Sequence, residues 1–195
     1  MTAPRGVSGL LSGTVKAFRH RKALAFLRPG DCVLDVGSGL GEIVDRLPQG
    51  VEYTGVERDP WLCGKCRSRH PGRTFLQGDF LDLLPTLPGG RDAVLMLALL
   101  EHTPDPGALL RAGASLLRPG GLLLATTPSP WGERLHAFGA RLRLLSSMAS
   151  EEHHALLGRR AVEALAGGAG LASERYERFL LGLNQLFVFR KKSVK

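Results

Sequence analysis

The chain is short of cysteine, of aromatic residues and of long apolar runs, and each shortage closes off a class of protein. Its three cysteines, Cys32, Cys63 and Cys66, are too few and odd in number for a disulfide framework. Cys63-Gly64-Lys65-Cys66 has the C-x-x-C spacing, with His70 following. No second pair completes the set of about four ligands that zinc takes, and the strand–helix context of a redox motif is missing. These residues read instead as part of a helix packed on a sheet. The apolar stretches near Val94 and Leu122 are short and interrupted by polar residues, so neither spans a bilayer. No secretory leader is legible, and the expectation is a cytoplasmic protein. Aromatic residues make up only 6%, which bears on the net charge of +8. The basic stretches Arg19-His20-Arg21-Lys22 and Arg190-Lys191-Lys192 carry no interleaved stacking residues, so a solvated basic surface is the simpler reading. The charge alone leaves open an anionic partner such as RNA or an acidic membrane surface. Repeats, linkers and low-complexity tracts are absent, and 195 residues suffice for one domain with a full core.

What is present is concentrated in one run, Cys32-Val33-Leu34-Asp35-Val36-Gly37-Ser38-Gly39-Leu40-Gly41-Glu42. A short apolar segment ends in an acid and three glycines follow at alternate positions. This pattern predicts a buried parallel strand from Cys32 to Val36 turning sharply into a helix over about Gly41 to Leu47. The glycines let a ligand approach the main chain, and the start of that helix would present free N–H groups to a negative group.

Around this run, strands and helices alternate. A helix is expected from about Ser8 to Leu27, stopped by Pro29-Gly30. Further strands are expected at Val51–Glu57, Arg73–Gln77, Ala93–Leu97 and Leu122–Ala125. Helices should open at Asp59-Pro60 and Asp105-Pro106, with proline in the first turn. A helix from His153 to Ala166 and a closing hairpin, Tyr176–Leu181 with Gln185–Arg190, complete the pattern. Such alternation implies an α/β fold built on a parallel sheet with helices on both faces.

In such sheets ligands bind beyond the carboxyl ends of the strands. Acids stand there after three strands in succession: Asp35, Glu57 and Asp79. A carboxylate such as Glu57 can accept from two adjacent hydroxyls, as on a ribose. Asp79 can accept from an exocyclic amine such as that of adenine, with Phe80 beside it to cover the base. Each also has a plainer reading, Asp79 as a helix N-cap and Glu57 as a surface acid paired with Arg58. The glycine spacing separates two nucleoside-cofactor classes. The dinucleotide fingerprint is G-x-G-x-x-G, whereas here Glu42 occupies the third-glycine position.

With these motifs in order, the sequence resembles the class I S-adenosylmethionine-dependent methyltransferases. Val33 to Glu42 matches their first motif, Gly55-Val56-Glu57-Arg58-Asp59-Pro60 the second and Gln77-Gly78-Asp79-Phe80 the third. Ala98-Leu99-Leu100-Glu101-His102-Thr103-Pro104-Asp105-Pro106, followed by Leu116 to Pro130, is close to the small-molecule branch that contains ubiquinone-pathway methyltransferases. The resemblance runs from about Leu27 to Thr127, and the closing hairpin matches the family's last two strands. It implies a Rossmann-like, doubly wound, seven-stranded α/β sheet, mostly parallel, with an antiparallel C-terminal hairpin. It also implies one methyltransferase domain over 1–195, with an N-terminal helix within 1–30 and a substrate lid over 127–155. S-adenosylmethionine would be the cofactor. Gly37, Ser38 and Gly39 would surround its methionine part, with Asp35 orienting that loop or binding the amino group. Glu57, with Arg58 beside it, would hold the ribose, and Asp79 and Phe80 the adenine. Leu97 to Leu100 would line the methyl, in a run more apolar than is usual in the family.

The expected reaction is in-line transfer to a small-molecule or lipid-like acceptor, by O- or N-methylation. Alignment of nucleophile, methyl and sulfur can account for about 7–11 kcal/mol of such a barrier. Should the acceptor lose a proton, His102 is the first candidate base, with His153 and His154 second. Glu101 and His102 could equally brace the loop. Trp131, His136 and Phe138 are placed by position to line the acceptor pocket. No Asn-Pro-Pro-Tyr or Pro-Cys run follows the fourth strand, which argues against base methylation of nucleic acid. Two alternatives remain: an RNA or protein methyltransferase docking through its basic surface, and a nucleoside-binding module without catalysis. The acceptor and the oligomeric state are not legible.

Overall fold

A computed structural model describes residues 10–130 and 157–193. The elements run α1 (Leu10–Leu24), β1 (Cys32–Val36), β2 (Glu52–Glu57), α2 (Pro60–Arg69), β3 (Thr74–Gln77), α3 (Phe80–Leu83), β4 (Arg91–Leu97), α4 (Pro106–Leu116), β5 (Leu117–Pro128), α5 (Arg159–Gly168), β6 (Leu171–Phe179) and β7 (Asn184–Lys191). The seven strands form one sheet in the order β3-β2-β1-β4-β5-β7-β6. β1 to β5 pair in parallel, and β7 is antiparallel to both β5 and β6. The order reverses between β1 and β4, which opens a crevice at the carboxyl ends of these two strands. This is the doubly wound α/β architecture expected, with the antiparallel hairpin at one edge.

Side chains alternate across the sheet with a period of two. Leu34, Val36, Val94 and Met96 face a core built with Leu109 and Leu110 of α4 and Val162 and Ala166 of α5. Val33, Ala93 and Leu95 face the opposite core, with Ala23 of α1 and Cys63 and Cys66 of α2. Each fully buried leucine here contributes about 1.5–3 kcal/mol by leaving water. The cysteine pair therefore packs against the sheet, and among the described residues no cluster could hold a metal ion.

Several elements differ from expectation: β6 begins at Leu171 rather than Tyr176, the last helix runs over Arg159–Gly168 rather than ending at Ala166, and two further differences bear on the site. The predicted helix over Gly41 to Leu47 is only a 3-10 turn, Val44–Arg46. Gly37, Gly39 and Gly41 all have positive φ, and Leu47 is held extended (ψ 145°) ahead of Pro48. Too few residues are left between for an α-helix to nucleate, so no helix dipole acts at the glycine loop. The fifth strand is longer than expected, because Leu117 already pairs with Arg91 before a register shift returns Leu122 to Ala93. Among the described residues no helix is long and apolar enough to cross a membrane.

Candidate functional site

The carboxyl edge of β1 and β2 is preformed by contacts between these neighbouring strands and the loops that follow them. Gly37 N–H and Ser38 N–H both donate to Val56 O, at 2.9 and 3.1 Å, so the loop after β1 folds back across β2. Glu57, at the end of β2, accepts Gly39 N–H at Oε2 (2.8 Å) and Asp59 N–H at Oε1 (2.9 Å). The carboxylate thus braces the glycine loop and the entry to α2 while keeping lone pairs for a ligand. Cys66 Sγ donates to Gly39 O from α2 (3.0 Å), fixing the loop from beneath. A Cβ at Gly39 would meet nothing within 4 Å, so the main chain there faces open space. At Gly37 a Cβ would lie 3.2 Å from Leu99 Cδ1, which places the segment after β4 directly against the loop.

Asp35 faces the same side of the sheet as Tyr53, whose hydroxyl donates to Asp35 Oδ2 (2.7 Å). Burial raises the Asp35 carboxyl from its ordinary 3.8 to about 6; the Tyr53 hydrogen bond lowers it and the nearby Glu57 charge raises it. Tyr53 is in turn pushed well above its ordinary range by burial and by Asp35. Asp79 is the N-cap of α3, accepting Leu81 N–H at 2.9 Å, and is exposed. Phe80 is buried at the end of the α4-side core. Arg58 is exposed, and its carbonyl accepts from Gln77 Nε2 (3.2 Å). Leu97 is half-buried and Leu100 fully buried, so Leu99 is the residue that meets the glycine loop.

A second group of polar residues lies at the ends of β4 and β5. Glu101 sits in a 3-10 turn, Leu100–His102, and is 1% exposed, whereas its neighbour His102 is exposed. Burial raises the Glu101 carboxyl from 4.5 to about 7, against the lowering effect of Arg19 and of a hydrogen bond with Thr127. Arg19 comes from α1, which is tied to the glycine loop by the Lys16–Glu42 ion pair (2.9 Å). The sequence reading passed over Tyr53, gave Arg19 only as part of a basic stretch, and gave Glu101 only as a brace of its loop. Tyr53 lies within an apolar strand and Arg19 within a basic run, so neither stood out; only the acid at Glu101 beside His102 offered a signal. His153, His154, Trp131, His136, Phe138 and nearly all of the expected lid lie outside the described residues.

Part of each basic stretch is engaged within the molecule. Lys22 pairs with Glu177, Arg190 with Glu174, and Lys191 Nζ donates to Leu117 O (2.7 Å).

Residues 11–175 match the family described as "Methyltransferase domain". A ubiquinone biosynthesis O-methyltransferase from Xanthomonas campestris pv. campestris is 40% identical over 105 residues, covering 51% of this chain and 44% of that protein. The match thus takes in less than half the length of that relative. A chain from the Haloferax volcanii complex of the Trm112 methyltransferase activator with a methyltransferase superposes with a TM-score of 0.74 at 18% identity, over 93% of each chain. Magnesium protoporphyrin IX methyltransferase from Synechocystis, solved with bound S-adenosylhomocysteine, gives a TM-score of 0.68 at 16% identity, over 97% of this chain and 90% of that one.

Proposed function

The chain belongs to the methyltransferase domain family, and on that premise we propose that it moves a methyl group from S-adenosylmethionine to a small-molecule or lipid-like acceptor. The observation that carries this reading is Glu57. Its two oxygens are fixed by Gly39 N–H and Asp59 N–H, beside the open space over Gly39. A carboxylate so fixed suits the paired hydroxyls of a ribose. Gly37, Ser38 and Gly39 would hold the methionine part, with Asp35 behind them. Asp79 keeps Oδ2 for the adenine amine while Oδ1 caps α3. Arg58, Phe80, Leu97 and Leu100 complete the proposed surround, with the buried Phe80 and Leu100 acting from behind. When bound, S-adenosylmethionine supplies an activated methyl. The chain's own task is then to align the acceptor and exclude water.

The O-methyltransferase relative favours a hydroxyl acceptor over an amine. The exposed His102 is one candidate base at the end of β4, and His153 and His154 are others. The internal engagement of Lys22, Arg190 and Lys191 leaves less free basic surface and favours a small acceptor over RNA docking. A cytoplasmic location is part of this proposal. Calorimetric titration with S-adenosylmethionine, S-adenosylhomocysteine and NAD tests the reading. Micromolar binding of both sulfur nucleosides without NAD is the expected result; binding of NAD alone, or of none, overturns it.

A further inference from the structure

We propose that Glu101 takes the proton from a hydroxyl-bearing acceptor and that Arg19 of α1 steadies the oxygen left behind. The inference rests on the methyltransferase reading of the same site. It begins from two buried atoms of opposite character. Glu101 Oε2 is buried and has no hydrogen-bond partner among the described residues, and the same holds for Arg19 Nε. Each side chain feels the other's charge. Among the described residues they nevertheless form no ion pair, whereas Lys16, one turn earlier on the same helix as Arg19, pairs with Glu42 beside the glycine loop. A buried donor and a buried acceptor left unmet are costly. A group that bridges them recovers that cost.

The chemistry of the bridge is restricted. It must accept from a guanidinium N–H and donate to a carboxylate, and a hydroxyl is the smallest group that does both. An ammonium has no acceptor site and would confront Arg19. An ionised carboxylate has no proton to give and would confront Glu101.

The position is equally restricted. Leu99, two residues before Glu101, lies against Gly37 of the loop proposed to hold the methionine part. Thr127, at the end of β5, is the hydroxyl beside Glu101. The groups facing Glu101 are therefore Arg19 from α1, Thr127 from β5 and His102 on its own turn. Raised to about 7, the carboxyl exchanges protons in the range where enzymes work. In the step, the acceptor O–H bond breaks and its proton goes to Glu101 Oε2. The freed electron pair forms the O–CH3 bond as the C–S pair returns to sulfur. An ether and a neutral thioether result, and Glu101 passes the proton to water.

The test is carboxyl-13C NMR of the S-adenosylhomocysteine-saturated protein labelled at glutamate, with the Glu101 resonance assigned by Glu101→Gln. The probe is p-cresol, with p-xylene as the isostere that lacks a hydroxyl. Glu101 is expected to titrate near neutral pH and to shift with p-cresol but not with p-xylene. Arg19→Met should raise its midpoint further, because a positive charge has been removed. In turnover of p-cresol, the acid limb near pH 7 should vanish in Glu101→Gln, with kcat lower by about 100-fold or more and S-adenosylhomocysteine affinity retained. His102→Gln should keep that limb. A Glu101 resonance blind to p-cresol, or an acid limb that follows His102, overturns the assignment. Should Glu101→Gln not fold, Glu101→Asp assigns the resonance and the Arg19→Met shift carries the same decision. A protein that does not bind S-adenosylhomocysteine overturns the cofactor reading separately, and p-cresol titration of the free protein then decides the fate of Glu101.

Discussion

The two halves of the carboxyl edge are built differently. At the β1–β2 end, polar side chains are met by partners on the paired strands and the loops that follow them: Glu57 by Gly39 and Asp59, Asp35 by Tyr53, Asp79 by Leu81. At the β4–β5 end, Glu101 and Arg19 come from opposite ends of the chain's first hundred residues, and each keeps a buried atom without a partner among the described residues. The first half is preorganised by short loops that fold onto themselves. The second half is assembled by packing and holds unspent hydrogen-bonding capacity. A cofactor with a constant shape suits a preformed surface, and an acceptor whose proton must move suits a surface whose charges are not already neutralised.

That contrast can be broken most severely at Gly55. A Cβ there would lie 2.7 Å from Phe75 Cδ1 and 3.0 Å from Ser38 Cβ. Gly55→Val should therefore destabilise the protein by about 3 kcal/mol or more through overpacking. Urea unfolding would show it, and an unchanged midpoint would mean that the β2–β3 side is looser than described.

A smaller effect, confined to ligand binding, is expected from Glu57→Ala. It frees two backbone N–H groups and removes the proposed ribose acceptor. S-adenosylhomocysteine affinity should fall more than about tenfold, a loss above ~1.4 kcal/mol, by calorimetry on protein shown to be folded. Unchanged affinity would remove Glu57 from the cofactor site and undo the contrast.

A further probe, read only as a change with pH, is the stability dependence that runs through Asp35. Its folded pKa is raised from 3.8 to about 6, so the folded state holds the proton more tightly than the unfolded chain does. The stabilisation this confers is full below about 4 and lost as the pH rises through about 6. Asp35→Asn abolishes the titration. The stability difference between wild type and variant should thus change by up to about 3 kcal/mol between pH 4 and pH 8, disfavouring wild type at the higher pH. Paired unfolding curves measure it, and a pH-independent difference would show that Asp35 ionises normally.

Much of the fold was legible in the sequence. β1 was placed at its observed bounds because a short apolar run before glycines leaves little freedom of assignment. Asp59-Pro60 and Asp105-Pro106 announced helix starts, and both aspartates do cap their helices. The miss after Gly41 has the same local origin. The strand followed by alternating glycines suggested a helix, but three residues of positive φ and a following proline outweighed it. Asp79 shows how a local role and a ligand role can share one residue, since a cap engages one oxygen and leaves the other.

The sequence by itself determined the strand order of chemistry along one edge: the glycine loop, then Glu57, then Asp79, then Glu101 and His102. These follow from periodicity and from residues whose backbone preferences are local. Only the tertiary structure decided which of them are buried and what faces them. It put Tyr53 under Asp35, brought Arg19 of the first helix toward Glu101, and left His102 exposed beside a carboxylate that is not. Burial and the approach of charges distant in sequence depend on how helices pack across a sheet, and that packing sets which carboxylates hold a proton near neutral pH.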